Sequence, residues 1–366
     1  MNNKQPPHKI VFVLQDLEFG GTQRYVLNLL QHLDKTIFVS ELWVLRGGRD
    51  MAKIAEKTGV KIKWFSKGSW VTPSALYRFF FYLAANRPTY LYPLTVVPNV
   101  WARIFGSLLR VPIIISSYRN LVAHQYEWLL WPLSTHIICN AEAVRHKLIR
   151  KYRVKESKIS VIPNGVDTDY FSPNFTKLVS PPIIIYIGRL VDQKDPLTLL
   201  ESFRNIKQKI PDAQLLVVGN GPLRSLLKSF IKHHQMNQHI SLVAGTTDIR
   251  KYLHQAQVFL LPSLYEGSPN IVIEAMACGL PVVATNTSGI PELIEHGING
   301  YLVQPRDSKK MAKWTIRLLQ NKDIREKMGE NARKRVVKNH NIGLRVRQTE
   351  KILLHQLSGD PGNYEK

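Results

Sequence analysis

The chain has 366 residues, 44% hydrophobic and 21% charged, with 21 Gly and 21 Pro. That composition leaves room for two domains and excludes collagen-like and bulk-disordered chains. Its 50 Lys and Arg against 27 Asp and Glu leave +23, about +12 before residue 173 and about +11 after it, so the expected partner is anionic: nucleic acid, lipid headgroups or phosphorylated small molecules.

The opening residues 1–10 lack a basic segment followed by a long apolar run, so no secretory leader is expected and the chain reads as cytoplasmic. Short runs of Ile, Val and Leu then read as buried parallel strands at 9–14, 39–45, 60–65, 113–116 and 136–139, with a weaker one at 90–93. Gly20-Gly21-Thr22 follows the first of these and precedes an apolar-periodic segment, a turn able to bring backbone amides to phosphate. The aromatic stretch 75–85 contains Arg78 and is far shorter than the roughly 20 apolar residues of a membrane span. In the second half, strands are expected at 183–187, 214–218, 240–243, 258–262 and 282–285. Strands alternating with longer amphipathic segments in both halves define two doubly wound α/β units.

Between the halves, residues 160–180 are rich in Pro, Asn, Gly and Ser without a periodic apolar face, which is linker chemistry. The expected division is 1–172, 173–345, and a C-terminal helix with a loose tail at 346–366; everything from Lys309 to Ser358 reads as helical. Cys139 and Cys278 sit in apolar runs without metal-ligand spacing, so neither a disulfide framework nor a zinc site is expected.

Three clusters carry chemistry. Residues 259–279 read as strand, loop and helix, with Ser268 or Asn270 as candidate cap and Pro269 in the first turn. Glu266 then falls on the loop at the strand's carboxyl end, where open α/β sheets hold ligands, and Glu274 about one turn inside the helix. Singly, these are a solvated Glu and a helix-dipole partner. Together with a helix N-terminus they suit a nucleotide sugar, amides for phosphate and carboxylates for hydroxyls. Gly188-Arg189 and Lys194 follow the first strand of the second half, two cations where a diphosphate needs neutralising. Gly219-Asn220-Gly221 ends the next strand, and Arg224 occupies the last position of a dinucleotide G-x-G-x-x-G, which counts against a nicotinamide dehydrogenase.

In this order the pieces resemble the retaining nucleotide-sugar glycosyltransferases of family four, over nearly the whole chain. The resemblance is carried by Gly20-Gly21, Val161-Ile162-Pro163-Asn164-Gly165-Val166-Asp167, Gly188-Arg189 with Lys194, Gly219-Asn220-Gly221, and Glu266 with Glu274. It implies the GT-B fold, two Rossmann-like domains facing a central cleft, with the donor held by the second and the acceptor by the first. Arg189 and Lys194 would hold the diphosphate and stabilise it as leaving group. Glu266 with the amides of Ser268, Asn270 and Ile271 would bind sugar and phosphate, and Glu274 the ribose. Gly188, Gly219, Asn220, Gly221 and Gly267 complete the donor set, and Gly20-Gly21 would approach the diphosphate from the other domain. The sequence departs from the family where many members carry a His after a first-domain strand: here Tyr118-Arg119-Asn120 stands, and His124 comes several residues late. Arg119 and Asn120 are therefore the acceptor-side candidates, Arg119 toward an anionic acceptor or phosphate.

No cofactor or metal is expected beyond the nucleotide-sugar co-substrate, since Arg189 and Lys194 supply the charge and Asp167-Thr168-Asp169 reads as turn chemistry. The expected partners are a nucleotide-sugar donor, a lipid-linked or oligosaccharide acceptor, and an anionic membrane surface. For the last, the cations of 147–158 lie in the same half as Trp70, residues 79–82 and residues 128–131. Nucleic acid is the competing partner; no RNA-recognition signature, zinc spacing or Arg/Gly-rich tail supports it. A GT-B epimerase or phosphorylase is the other alternative.

Overall fold

A computed structural model describes residues 6–119, 126–174 and 181–358. They form two units, one of Met1–Pro163 with Ile342–Lys366, the other Asn164–Asn341. The first runs β1 (His8–Leu14), α1 (Gly21–His32), β2 (Phe38–Val44), α2 (Ala52–Lys57), β3 (Lys61–Trp64), α3 (Pro73–Asn86), β4 (Tyr90–Pro93), α4 (Val96–Leu108), β5 (Ile113–Tyr118), α5 (Glu127–Leu130), β6 (His136–Cys139), α6 (Glu142–Tyr152) and β7 (Ile159–Val161). Its seven strands are parallel, in the order β3-β2-β1-β4-β5-β6-β7. Because side chains alternate along a strand, β1 turns Ile10, Phe12 and Leu14 toward α1 and Val11 and Val13 toward α3 and α4. Both faces of β1 are covered, which is why its run from Ile10 to Leu14 is apolar throughout, whereas the edge strand β3 alternates as Lys61-Ile62-Lys63-Trp64.

The second unit runs β8 (Ile183–Ile187), α7 (Pro196–Lys207), β9 (Gln214–Val218), α8 (Arg224–His233), β10 (Ile240–Val243), α9 (Arg250–Leu253), β11 (Val258–Leu261), α10 (Asn270–Ala277), β12 (Val282–Thr285), α11 (Ile290–Leu293), β13 (Gly300–Val303), α12 (Ser308–Gln320) and α13 (Lys322–Asn339). Its strands are also parallel, in the order β10-β9-β8-β11-β12-β13.

The expected boundaries at 172/173 and 345/346 are corrected. Residues 164–174 belong to the second unit because their backbone is bonded there: Val166 N donates to His340 O at 2.8 Å, and Arg333 donates to the carbonyls of Phe171 (3.0 Å) and Thr168 (3.2 Å). A final helix, α14 (Ile342–Ser358), joins the first unit, with Leu353 buried and its carbonyl accepting from Tyr90 OH at 2.9 Å. The helical reading from Lys309 to Ser358 breaks twice, at Asn321, whose side chain caps α13 by accepting from Ile324 N at 3.0 Å, and at 340–341. β7 and β13 lie where no strand was expected. The tail beyond Ser358 is outside the described residues. Among the described residues no helix is long and apolar enough to cross a membrane.

Candidate active site

In the second unit the chain winds from β8 through β9 to β10, then crosses back to place β11 on the other side of β8. The loops after β8 and β11 therefore flank a topological switch point, the crevice where open parallel sheets take ligands. Arg189 and Lys194 lie on the first loop, Glu266 and Ser268 on the second.

The second loop is held by its own carbonyls. Thr285 Oγ1 donates to Ser263 O, Thr287 Oγ1 to Leu264 O at 3.0 Å, Gln193 Nε2 to Tyr265 O at 2.9 Å, Gly289 N to Glu266 O at 3.2 Å and Asn164 Nδ2 to Ser268 O at 2.6 Å. With the acceptors engaged from behind, the loop is preorganised and leads directly into α10, whose first turn is tied to its N-cap by Val272 N donating to Pro269 O at 3.1 Å. The expected side-chain cap is corrected: Pro269 occupies the N-cap position and no side chain caps the helix. Ser268 Oγ is instead buried with no hydrogen-bond partner, and Asn270 is the first helical residue.

Lys194 Nζ meets Glu266 Oε1, and Ser263 Oγ donates to the same oxygen at 2.7 Å. The two ionic side chains keep 13% and 9% exposure. A nearly enclosed ammonium beside a carboxylate supplies both charges that a sugar diphosphate needs, a cation for phosphate and an acceptor for hydroxyls. The loop carrying Lys194 is clasped to the Glu266 loop by Leu264 N donating to Gln193 O at 2.8 Å. It turns into α7 at Asp195, whose carboxylate accepts from Thr198 N (3.3 Å) and Thr198 Oγ1 (2.6 Å). Arg189 is exposed, its carbonyl fixed by Tyr186 OH at 3.0 Å. Burial drives the Tyr186 hydroxyl well above its ordinary range, so it serves as a neutral donor. Glu274 is buried inside α10.

The glycines answer to space. A Cβ on Gly219 would lie 1.9 Å from Gly188 O, and one on Gly221 2.3 Å from Leu190 O. The two turns are laced by Gly188 N to Val218 O (3.0 Å) and Leu190 N to Asn220 O (2.8 Å). Arg224, the residue that breaks the dinucleotide pattern, clamps this turn through Gly219 O (2.9 Å) and Leu242 O (3.0 Å). Asn220 is exposed and accepts from Gly245 N at 3.2 Å; Gly267 and Ile271 lie on the loop and the first turn of α10.

Ser263, Gln193 and Asn164 were not assigned roles from sequence. Asn164 lies in the segment 161–167, and its bracing of Ser268 depends on a contact 104 positions away that the segment itself does not encode. Asp167 Oδ1 accepts from Asp169 N (3.0 Å) and Tyr170 N (2.9 Å), a turn-stabilising role. Both thiols are buried and pushed up to about 12 by desolvation, which leaves them protonated and poor nucleophiles.

In the first unit, Gly20 is the N-cap of α1 and Gly21 its first residue. Arg119 stacks over the Tyr25 ring, 3.3 Å from its centroid, while its carbonyl accepts from Asn140 Nδ2 at 3.2 Å. Asn120 and His124 lie outside the described residues.

Two doubly wound parallel units, the second with a clasped Lys-Glu pair at its switch point, define a GT-B glycosyltransferase. The family described as Glycosyl transferases group 1 matches residues 169–335, and Glycosyltransferase Family 4 matches residues 19–170. The chain is 30% identical to UDP-Gal:alpha-D-GlcNAc-diphosphoundecaprenol alpha-1,3-galactosyltransferase of Escherichia coli over 68% of this chain and 70% of that one. It is 29% identical to the capsular polysaccharide biosynthesis glycosyltransferase CapM of Staphylococcus aureus over 61% of this chain and 62% of that one. Among solved structures it resembles Anabaena HepE in complex with UDP and glucose, at TM-score 0.84 and 16% identity, covering 95% and 99% of the two chains. The chain belongs to glycosyltransferase family four.

Proposed function

We propose that the protein transfers a sugar from a UDP-sugar, with retention of anomeric configuration and without a metal ion, to a lipid-linked acceptor in bacterial surface-polysaccharide assembly, at the inner face of the cell membrane. The observation that carries this reading is the Lys194–Glu266 pair, which joins the loop after β8 to the loop after β11, whose carbonyls are tied back at the switch point. The relatives support the substrates: one is named for UDP-Gal and a diphosphoundecaprenol acceptor, another for capsular polysaccharide.

The acceptor oxygen bonds to the anomeric carbon on the face from which the diphosphate leaves, the C–O bond to the diphosphate breaks, and the acceptor's proton passes to a departing phosphate oxygen. Lys194 and Arg189 stabilise the growing negative charge, which is where electrostatic preorganisation acts. Glu266 and the α10 amides orient sugar and phosphate, Glu274 takes the ribose, and Arg119 serves an anionic acceptor.

Calorimetric titration with UDP, GDP and ADP, with and without a chelator, tests the donor half. Chelator-insensitive UDP binding that Lys194→Ala removes is expected. Binding that needs a divalent ion refutes metal independence, and no binding by folded protein refutes the site. Proton NMR of the product reads anomeric configuration, and unchanged kinetics in Arg119→Ala would sink the acceptor-side role.

A further inference from the structure

Residues 57–158 contain 16 Lys and Arg and three acids, Glu127, Glu142 and Glu156. All three acids are matched internally. Arg103 in α4 donates to Glu127 at 3.0 Å in a pair with 1% and 3% exposure, and Arg145 meets Glu142 at 3.1 Å and also Glu156. Arg78, Arg110, Arg150, Lys151, Arg153 and Lys155 stay exposed.

The same stretch bares its aromatic residues. Trp70 is 79% exposed, Tyr77 66%, Phe81 52%, Leu108 69%, Trp128 59% and Leu129 56%. Both exposed Trp and the exposed Phe of the described residues fall here. Tyr77 and Phe81 sit one turn apart on α3 with centroids 4.5 Å apart. Trp128 and Leu129 follow Glu127 on α5, so the buried Arg103–Glu127 pair pins a short helix whose next two side chains face outward. Strand register places these elements on one side of the sheet: Leu91 pairs with Ile114 and Ser116 with Ile137, so α3 and α4 pack on the same face as α6, opposite α1 and α14.

We propose that this face of the first unit rests on an anionic bilayer. The aromatic and leucine side chains of α3, α4 and α5 enter the headgroup boundary, and the α6 cations face lipid phosphates. Exposed Leu108 and Leu129 favour a bilayer over nucleic acid, since aliphatic chains find an apolar boundary there but do not stack on bases. The inference deepens the membrane-linked acceptor of the proposed function and rests on that reading for its purpose; its own test uses neither donor nor acceptor.

The full chain is sedimented with vesicles of phosphatidylcholine alone and of phosphatidylcholine mixed with phosphatidylglycerol, and its Trp fluorescence is recorded with brominated lipids. Salt-sensitive partition onto the mixed vesicles is expected. Arg150→Gln/Lys151→Gln weakens it roughly 30-fold, from about 1 kcal/mol per cation. Tyr77→Ser/Phe81→Ser reduces the bromine quenching, while Lys228→Gln/Lys232→Gln on α8 changes neither. A cooperatively melting protein that ignores mixed vesicles overturns the proposal. So does equal loss in the α8 variant, or a tighter complex with a single-stranded oligonucleotide that the α6 variant abolishes. UDP titration of the same samples separates the two readings, since failed UDP binding with vesicle partition intact strikes the donor site alone.

Discussion

Lys194→Met is expected to destabilise the second unit by about 2 to 3 kcal/mol and to remove UDP binding. Breaking a buried ion pair from one side costs about 3 to 5 kcal/mol because the other charge is left uncompensated. The 13% and 9% exposure here admits some water and lowers that range, and Ser263 Oγ still donates to Glu266 at 2.7 Å. Glu266→Gln leaves the more exposed partner behind and keeps an acceptor, so a loss of about 1 to 2 kcal/mol is expected. In the double variant neither charge is stranded, and the cycle should return a coupling of about 1 to 2 kcal/mol. Differential scanning calorimetry with the UDP-free protein gives the stabilities, because Trp314 is the only one of seven Trp in the second unit and fluorescence follows mainly the first. Single losses that add to within about 0.3 kcal/mol would refute the pair as the organising contact of the two loops.

Gly219→Ala drives a Cβ to 1.9 Å from Gly188 O, so the β8 and β9 loops must part; UDP affinity should fall at least tenfold by calorimetry while the first unit's unfolding is unchanged. Arg103→Met strands the buried Glu127 and should cost the first unit about 3 kcal/mol in urea unfolding followed by Trp fluorescence, with Arg103→Met/Glu127→Leu recovering most of it. His136, in β6, is pushed down to about 4 by burial and then by His355 and Lys158. Between about pH 6.5 and 4 the unfolded chain takes a proton that the fold refuses, so stability falls by about 3 kcal/mol as pH drops through that window and is fully present above it. His136→Gln should flatten that part of the pH profile, and an unchanged slope would assign it elsewhere.

The strands were legible because burial on both faces leaves a chemical mark: an all-apolar run such as 183–187 or 258–261 has few other uses in an α/β chain. β13 lacked that mark, since Gly300 and Tyr301 interrupt the pattern, and β7 was hidden in the Pro and Asn punctuation that follows it. The domain boundary went astray for a related reason. Composition marks where regular structure stops, but only partners show which unit an irregular segment is bonded to, here Arg333 and His340 for 164–174.

By itself the sequence determined two doubly wound units, the glycines at the ends of β8 and β9, and the placement of Lys194 and Glu266 after their strands, because local pattern and loop chemistry are written along the chain. Tertiary structure decided that Lys194 meets Glu266 across 72 positions, that Asn164 braces Ser268, that α14 returns to the first unit, and which aromatics face outward. Each of these depends on contacts between residues distant in sequence, and side-chain periodicity holds no record of which distant segment will supply the partner.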